Sequence, residues 1–234
     1  MKFLQMMIHP IMIIKTLRSI SIKDFFKIHK IKLILTVKSH TLLGYLKLLN
    51  LYEIASSLER EKIDGGFVEC GGSAGIIASV AKHNKNRHIW LFDSWEGQPE
   101  PTEYDVSSGK QAKKGMFLSS EEKAKELIFK KLGLNDNRVR LVKGWFNDTI
   151  PSQKKKIGKI ALLHIDCDWY ESVKFCLEKL YNNVVKNGFI IIDDYEYWEG
   201  CKKAVDEFIE KRNLRVELIK TDYTDHSEVY FKKP

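Results

Sequence analysis

Two stretches constrain this chain more than any others: Ala161–Glu171, ALLHIDCDWYE, and Phe189–Trp198, FIIIDDYEYW. Each is an apolar run that stops abruptly at carboxylates, Asp166 and Asp168 in the first, Asp193 and Asp194 in the second. Apolar runs of this length bounded by turn signals read as strands buried on both faces, the way parallel sheets are built. Four carboxylates at the carboxyl ends of two such strands crowd negative charge into one crevice. Like charges held that close resist ionisation unless a cation neutralises them. A hard, oxygen-seeking ion such as Mg²⁺ is the simplest remedy.

The rest of the chain repeats the strand-then-helix pattern. Residues 41–62 read as a helix whose apolar face runs through Leu42, Tyr45, Leu46, Leu49, Ile54 and Leu58. Phe67–Cys70 is a short strand that runs into ECGGSAG, Glu69–Gly75, and then into the helix IIASVAKHN. Gly71, Gly72 and Gly75 permit a sharp turn and a close backbone approach to a ligand, and the helix start that follows favours negative charge. No lysine followed by Ser or Thr completes a phosphate-binding P-loop. HIWLFDS is a second strand ending at Asp93, about 20 residues after the glycines, where an acid commonly holds a ribose diol. The pattern suits an adenosine-containing cofactor, with a dinucleotide as its rival.

Glu96–Ser120 is a polar connector of a length that is usually either a functional lid or disordered. Ser119–Glu122 looks like a helix start and Gly133 like its stop. RVRLVKG is a third strand followed by a loop, WFNDTIP; KIALLHID is the fourth, followed by the helix ESVKFCLEKLYNNVVK. GFIIIDDY is the fifth, followed by the helix GCKKAVDEFIEKRN, and LRVELIK and SEVYFKK close the chain as an antiparallel pair. Five βα units and a terminal strand pair imply an open, mostly parallel sheet, with ligands outside the carboxyl ends of its strands. Glu69, Asp93, Asp166, Asp168, Asp193 and Asp194 all fall at or near those ends.

Composition narrows the partners. The chain has 234 residues, a net charge of +8 and four cysteines without paired CxxC spacing. The cysteine pattern argues against zinc or disulfides and fits a reducing cytoplasmic setting. The lysines form no aromatic-interleaved stripe, so nucleic acid is not an expected partner. No apolar run is long enough to span a membrane, and Pro10 interrupts the apolar start, which also lacks a cleavage site. Residues 1–40 are rich in Ile, Leu, Lys and Met and predict a basic amphipathic helical extension, separate from the 41–234 domain. Packing on the domain or across a homo-oligomer is its expected role, with membrane-surface attachment as the rival.

ECGGSAG, LFDSWEGQPEP, VKGWFNDTIP, LLHIDCDWYES and IIIDDYEYWEGCKKAVDEF, in that order, resemble the macrolide-sugar O-methyltransferases, the macrocin and mycinamicin type. The resemblance runs from about Leu42 to the C-terminus, and the DxD plus DDY pair is its most specific part. It implies a Rossmann-like class I methyltransferase fold: a seven-stranded, mostly parallel α/β sheet with an antiparallel last strand, plus N-terminal helices. It also implies S-adenosylmethionine and Mg²⁺ as cofactors and a sugar hydroxyl as acceptor. Residue by residue, Asp166, Asp193 and Asp194 become metal ligands and Asp168 the candidate general base. Glu69, Gly71, Gly72, Ser73 and Gly75 would hold the methionine part of the cofactor. Asp93 with Ser94 would hold the ribose, Gly144 and Trp145 would lie near the adenine, and Asp166 would border the cofactor as well as the metal. The turn here is GGSAG, where family members often carry a bulkier turn with an arginine. A catechol-type acceptor shares the chelation chemistry and is the alternative; a nicotinamide-dependent oxidoreductase is the more distant one. His164, inside a strand, is expected to be a hydrogen-bonded core residue. Trp145, Trp169, Tyr170, Tyr195 and Trp198 flank the proposed site and are expected to stack on ligands or to pack.

Overall fold

The structure, a computed structural model, describes residues 28–72, 75–134, 137–221 and 228–234. Residues 1–27 of the expected N-terminal extension, and Ser73 of the glycine turn, lie outside the described residues.

Two helices, α1 (Ile28–Lys38) and α2 (Tyr45–Arg60), precede β1 (Gly66–Cys70). Then come α3 (Ile76–Val80), β2 (Ile89–Asp93), and a two-stranded hairpin of β3 (Val106–Ser107) and β4 (Lys110–Gln111). Helix α4 (Glu121–Lys125) is capped by the Ser120 hydroxyl, which accepts the Lys123 N–H, and continues as a wider turn through Lys131. The second half is β5 (Val139–Lys143), α5 (Phe146–Ile157), β6 (Ile160–Ile165), α6 (Tyr170–Leu180), β7 (Val184–Ile192), α7 (Glu199–Lys211), β8 (Ile219–Lys220) and β9 (Val229–Lys232).

Seven strands form one sheet in the order β5-β2-β1-β6-β7-β9-β8. The five from β5 to β7 are parallel, and β9 runs antiparallel to both β7 and β8. The expected seven-stranded, mostly parallel α/β sheet is what forms, and the order reverses between β1 and β6. Alternate strand residues serve two separate cores, as the two-residue period of a strand requires. Val68, Trp90, Phe92, Leu163, Ile165, Ile190 and Ile192 pack with α5, α6 and α7. Phe67, Ile89, Leu91, Leu162 and Ile191 pack on the opposite face with α1, α2 and α3.

Three local expectations need correction. The buried face of α2 is Tyr45, Leu48, Leu51, Ile54, Ala55 and Leu58, whereas Leu42 precedes the helix and is 79% exposed. WFNDTIP is not a loop: Trp145 is the N-cap of α5, and Pro151 lies inside the helix. Proline forgoes one helical hydrogen bond there, while burial of Ile150 and Ile157 against the sheet favours the helix. Helix α6 stops at Leu180, and Val184 and Val185 already belong to β7. Their β-branched side chains suit a pleated surface better than a helix.

Candidate functional site

The sheet ladder continues one residue past several strands and thereby fixes the residues at their carboxyl ends. Gly71 N–H donates to the Phe92 carbonyl at 2.8 Å, Asp166 N–H to Cys70 at 2.8 Å, Asp193 N–H to Ile165 at 2.9 Å, and Gly144 N–H to Asp93 at 3.0 Å. Gly71, Asp93, Gly144, Asp166 and Asp193 therefore line one edge of the sheet, at the point where the strand order reverses.

Gly71 and Gly72 adopt φ of +88° and +74°, a region that favours glycine. A Cβ on Gly71 would collide with the Asp166 carbonyl oxygen, and one on Gly72 with Asp166 Oδ2. The turn thus lies directly against the first acid of the DxD. Gly75, the N-cap of α3, has φ +74°, and a Cβ there would come 2.9 Å from Leu132. Asp93 Oδ1 accepts the Trp95 N–H at 2.6 Å. Burial raises the Asp93 carboxyl above its usual range and nearby Glu69 adds to this, with the Trp95, Gly72 and Ser94 N–H groups opposing. The Ser94 hydroxyl is buried in its own turn, donating to the Gly97 carbonyl and accepting the Glu96 N–H. Gly144, at φ +133°, and the half-buried Trp145 open α5 beside the end of β2.

The acids divide into two groups. Asp166, Asp168 and Asp194 each present a carboxylate oxygen within 4.8 Å of the others. Burial, then the charges of Asp194 and Glu69, push Asp166 up to about 7 against the pull of His164 and Lys47. Burial, then Asp194, push Asp168 well above the carboxylate range. Asp193 lies instead with His164 and Glu228, again within 4.8 Å of one another. Strand parity separates Asp193 from Asp194, because adjacent side chains of an extended chain point to opposite faces; parity does not place Asp166, which shares the face of Leu162 and Ile191. Asp193 continues the Ile191 face, toward α2.

On that face Lys47 of α2 donates to Asp193 Oδ2 at 3.0 Å and to its carbonyl at 3.2 Å, and lies 3.6 Å from Asp194 Oδ1. The acids raise the ammonium's pKa, outweighing the burial that lowers it. One turn on, Asn50 donates to Glu228 at 2.6 Å and to Thr221 at 3.0 Å. Glu69 is fully buried and lies beside His164, Nδ1 to Oε1 3.2 Å, so its side chain faces the core. Burial lowers His164, but the Glu69 hydrogen bond and charge more than offset this and raise it. Asp193 Oδ1 has no hydrogen-bond partner among the described residues.

Sequence reasoning missed Lys47, Gln98 and Asp105. Gln98 donates through Nε2 to Asp168 Oδ2. Asp105 is 1% exposed and accepts the Tyr170 N–H at 2.7 Å through Oδ1, and the Thr102 N–H and hydroxyl through Oδ2. No local signal marks Lys47 or Asp105, and Gln98 is marked only by its place within LFDSWEGQPEP; their partners are 65 to 146 residues away for the contacts that matter here. The expected aromatic wall is mainly packing. Trp169 and Trp198 are buried edge to face at 6.5 Å, and the Tyr170 and Tyr195 hydroxyls donate to Glu207 and Asp206. Phe117, 43% exposed, leans on Trp198 from the 96–120 connector.

An open, mostly parallel sheet with a glycine turn after β1, an acid at the end of β2 and an antiparallel strand, β9, inserted between β7 and β8 is the arrangement of a class I methyltransferase fold. Residues 35–233 match the family described as macrocin O-methyltransferase (TylF). The chain belongs to that family and is an S-adenosylmethionine-dependent O-methyltransferase, which removes the nicotinamide alternative. It is 32% identical over 193 residues to demethyldecarbamoylnovobiocin O-methyltransferase of Streptomyces niveus, covering 79% of this chain and 73% of that protein. It is 31% identical over 180 residues to 8-demethyl-8-(2,3-dimethoxy-alpha-L-rhamnosyl)-tetracenomycin-C 4'-O-methyltransferase of Streptomyces olivaceus, covering 73% and 67%. The structure of the O-methyltransferase NovP superposes with a TM-score of 0.71 at 31% identity, over 83% of this chain and 82% of that one.

Proposed function

We propose that this enzyme methylates a hydroxyl of a sugar, carried by a glycan, a sugar nucleotide or a glycosylated metabolite, and that Mg²⁺ assists. The observation that carries this reading is the convergence of Asp166, Asp168 and Asp194 beside the Gly71–Gly72 turn. The three donors are all carboxylate oxygens, with no thiol or imidazole among them, which is the chemistry of a hard divalent cation. The rhamnosyl group in the name of the tetracenomycin relative favours a sugar over a catechol.

When bound, S-adenosylmethionine supplies an activated sulfonium methyl, and the divalent cation lowers the pKa of an acceptor hydroxyl. Asp166, Asp168 and Asp194 hold the cation. Gly71, Gly72 and Gly75 would let the backbone approach the cofactor, Asp93 would accept from its ribose hydroxyls, and Trp145 would border its base. Positioning provides much of the acceleration, because the donor is already activated.

A second division of the acids is supported by the unpartnered, buried Oδ1 of Asp193. In it Asp166, Asp193 and Asp194 ligate, and Asp168 takes the proton as general base. Mg²⁺ calorimetry on Asp168→Asn and Asp193→Asn separates the two: the variant that loses the cation identifies the ligand. Turnover with labelled S-adenosylmethionine against panels of sugar nucleotides and catechols, with Mg²⁺ or with chelator, tests the whole. Activity on sugars that chelator abolishes is expected; activity confined to catechols, or untouched by chelator, overturns it.

The chain is further read as a cytoplasmic homo-oligomer, with residues 1–40 as an extension of the 41–234 domain. Support comes from four buried free cysteines and from Ile28, Leu35 and Leu42, apolar side chains exposed along and after α1. Among the described residues no helix is long and apolar enough to cross a membrane. Light scattering on the full chain checks the oligomeric state.

A further inference from the structure

Two large apolar side chains stand exposed near the end of the 96–120 connector, Phe117 at 43% and Leu118 at 69%. The Phe117 backbone has φ +58°, a region in which a bulky residue is a genuine outlier. Backbone of this kind persists only where the surroundings over-determine it, and it clusters at active sites and ligand clamps. Here the strain brings little packing in return, since much of the residue stays in water.

Phe117 is tied to both acid pairs by separate short chains of contacts. Its ring lies edge to face on Trp198, centroids 6.5 Å apart and planes at 71°. The Trp198 N–H donates to the Asp194 carbonyl at 3.1 Å. On the other side, the carbonyl of the preceding residue, Met116, accepts the Gln98 N–H at 2.9 Å, and the Gln98 amide donates to the Asp168 carboxylate. This neck of the connector is rigid: the Gly115 N–H donates to the Gln98 carbonyl at 2.9 Å, and a Cβ on Gly97 would come 2.8 Å from the Gly115 carbonyl. The connector therefore holds an exposed aromatic ring next to the carboxylates that end β6 and β7.

We propose that Phe117 is an acceptor-binding residue, whose ring stacks on the C–H face of the acceptor sugar while the sugar's hydroxyl edge meets the acids. A pyranose carries its hydroxyls around the rim and leaves C–H groups on its faces. The negative face of an aromatic ring attracts such positive edges, and the contact leaves the hydroxyls free for the carboxylates. Leu118 extends the apolar surface beside the ring. This inference rests on the reading of the acceptor as a sugar, and it does not depend on which of the four acids hold the cation.

The test uses the full chain with Phe117→Leu, which keeps apolar bulk and loses the ring, with Phe117→Ala, and with Phe117→Tyr as the conservative variant. Steady-state kinetics use the member of the sugar-nucleotide panel that wild type methylates best. Calorimetry reads S-adenosylhomocysteine binding, and thermal melting reads the fold. An aromatic contact of this kind contributes about three- to tenfold in affinity. KM for the sugar nucleotide is expected to rise by that factor in Phe117→Leu and Phe117→Ala with kcat unchanged, because a contact made equally in the ground and transition states moves KM alone. Phe117→Tyr should keep the wild-type KM, and all three should keep the wild-type melting temperature and S-adenosylhomocysteine affinity. An unchanged KM in Phe117→Ala, or a Phe117→Leu variant that matches wild type, refutes the stacking role. A parallel loss of melting temperature and S-adenosylhomocysteine binding in Phe117→Leu and Phe117→Ala would mark packing on Trp198 alone and overturn the proposal. If wild type methylates catechols and no sugar of the panel, the sugar reading itself falls, and this inference with it.

Discussion

Replacing Lys47 by methionine removes the ammonium that lies 3.0 Å from Asp193 Oδ2 and 3.6 Å from Asp194 Oδ1. The Lys47 and Asp193 side chains are 13% and 5% exposed, so water cannot take over the missing charge. Removing one partner of a buried ion pair costs about 3–5 kcal/mol, because the other charge stays buried without compensation. Asp193 has an escape: burial, then repulsion from Asp194 and Asp166, already pushes its carboxyl well above the usual range. Taking up a proton should hold the loss near the lower end, about 3 kcal/mol. A urea m value of roughly 2–3 kcal/mol/M converts that into a midpoint shift of roughly 1–1.5 M. Equilibrium urea unfolding, followed by tryptophan fluorescence with chelator present so that no added cation substitutes, measures it. Asp193→Asn and the double variant complete a cycle. Contacting pairs couple by about 0.5–3 kcal/mol, so the double variant should lose less than the two singles together. A Lys47→Met midpoint within about 0.3 M of wild type, or a strictly additive double variant, would refute the ion pair as a stabilising contact.

Two further expectations follow from the geometry. Gly71→Ala places a Cβ against the Asp166 carbonyl oxygen at a backbone φ of +88°; the chain should either fail to accumulate in soluble form or melt well below wild type, and a normal melting curve would contradict it. Asp105→Ala leaves the Tyr170 and Thr102 N–H groups without their carboxylate; a loss of about 1–3 kcal/mol in urea unfolding is expected, and a change below about 0.5 kcal/mol would show that water replaces the carboxylate.

The elements that carry the site were legible because each is written in a short window. The apolar runs into Asp166 and Asp193 and the glycines after Cys70 gave strands and turns in place, and the family resemblance placed them on one fold. The division among the acids was harder to read, because parity separates Asp193 from Asp194 but does not place Asp166. Asp193 continues the parity of Ile191 and faces α2, whereas Asp194 joins Asp166 and Asp168. The roles of Lys47, Gln98 and Asp105 were not legible because a lysine in an amphipathic helix, or an amide or acid in a polar connector, looks the same whether solvated or paired. Only the closing of the chain brings Lys47 to Asp193, 146 residues away. In α5 Pro151 argues for a break, whereas the buried Ile150 and Ile157 argue, more strongly, for a helix.

Strand parity at the end of β7 also sets what kind of change this sequence can absorb. Substitutions within Val184–Ile192 alter packing by increments, but removing or adding one residue there reverses the outlook of everything downstream to the turn. Ile191 and Ile192 would then exchange cores, and Asp193 would turn away from Lys47. The strand should therefore drift in composition between relatives while its length from Phe189 to Asp194 stays constant, and aligned sequences with gaps in that segment should be catalytically dead or misassigned.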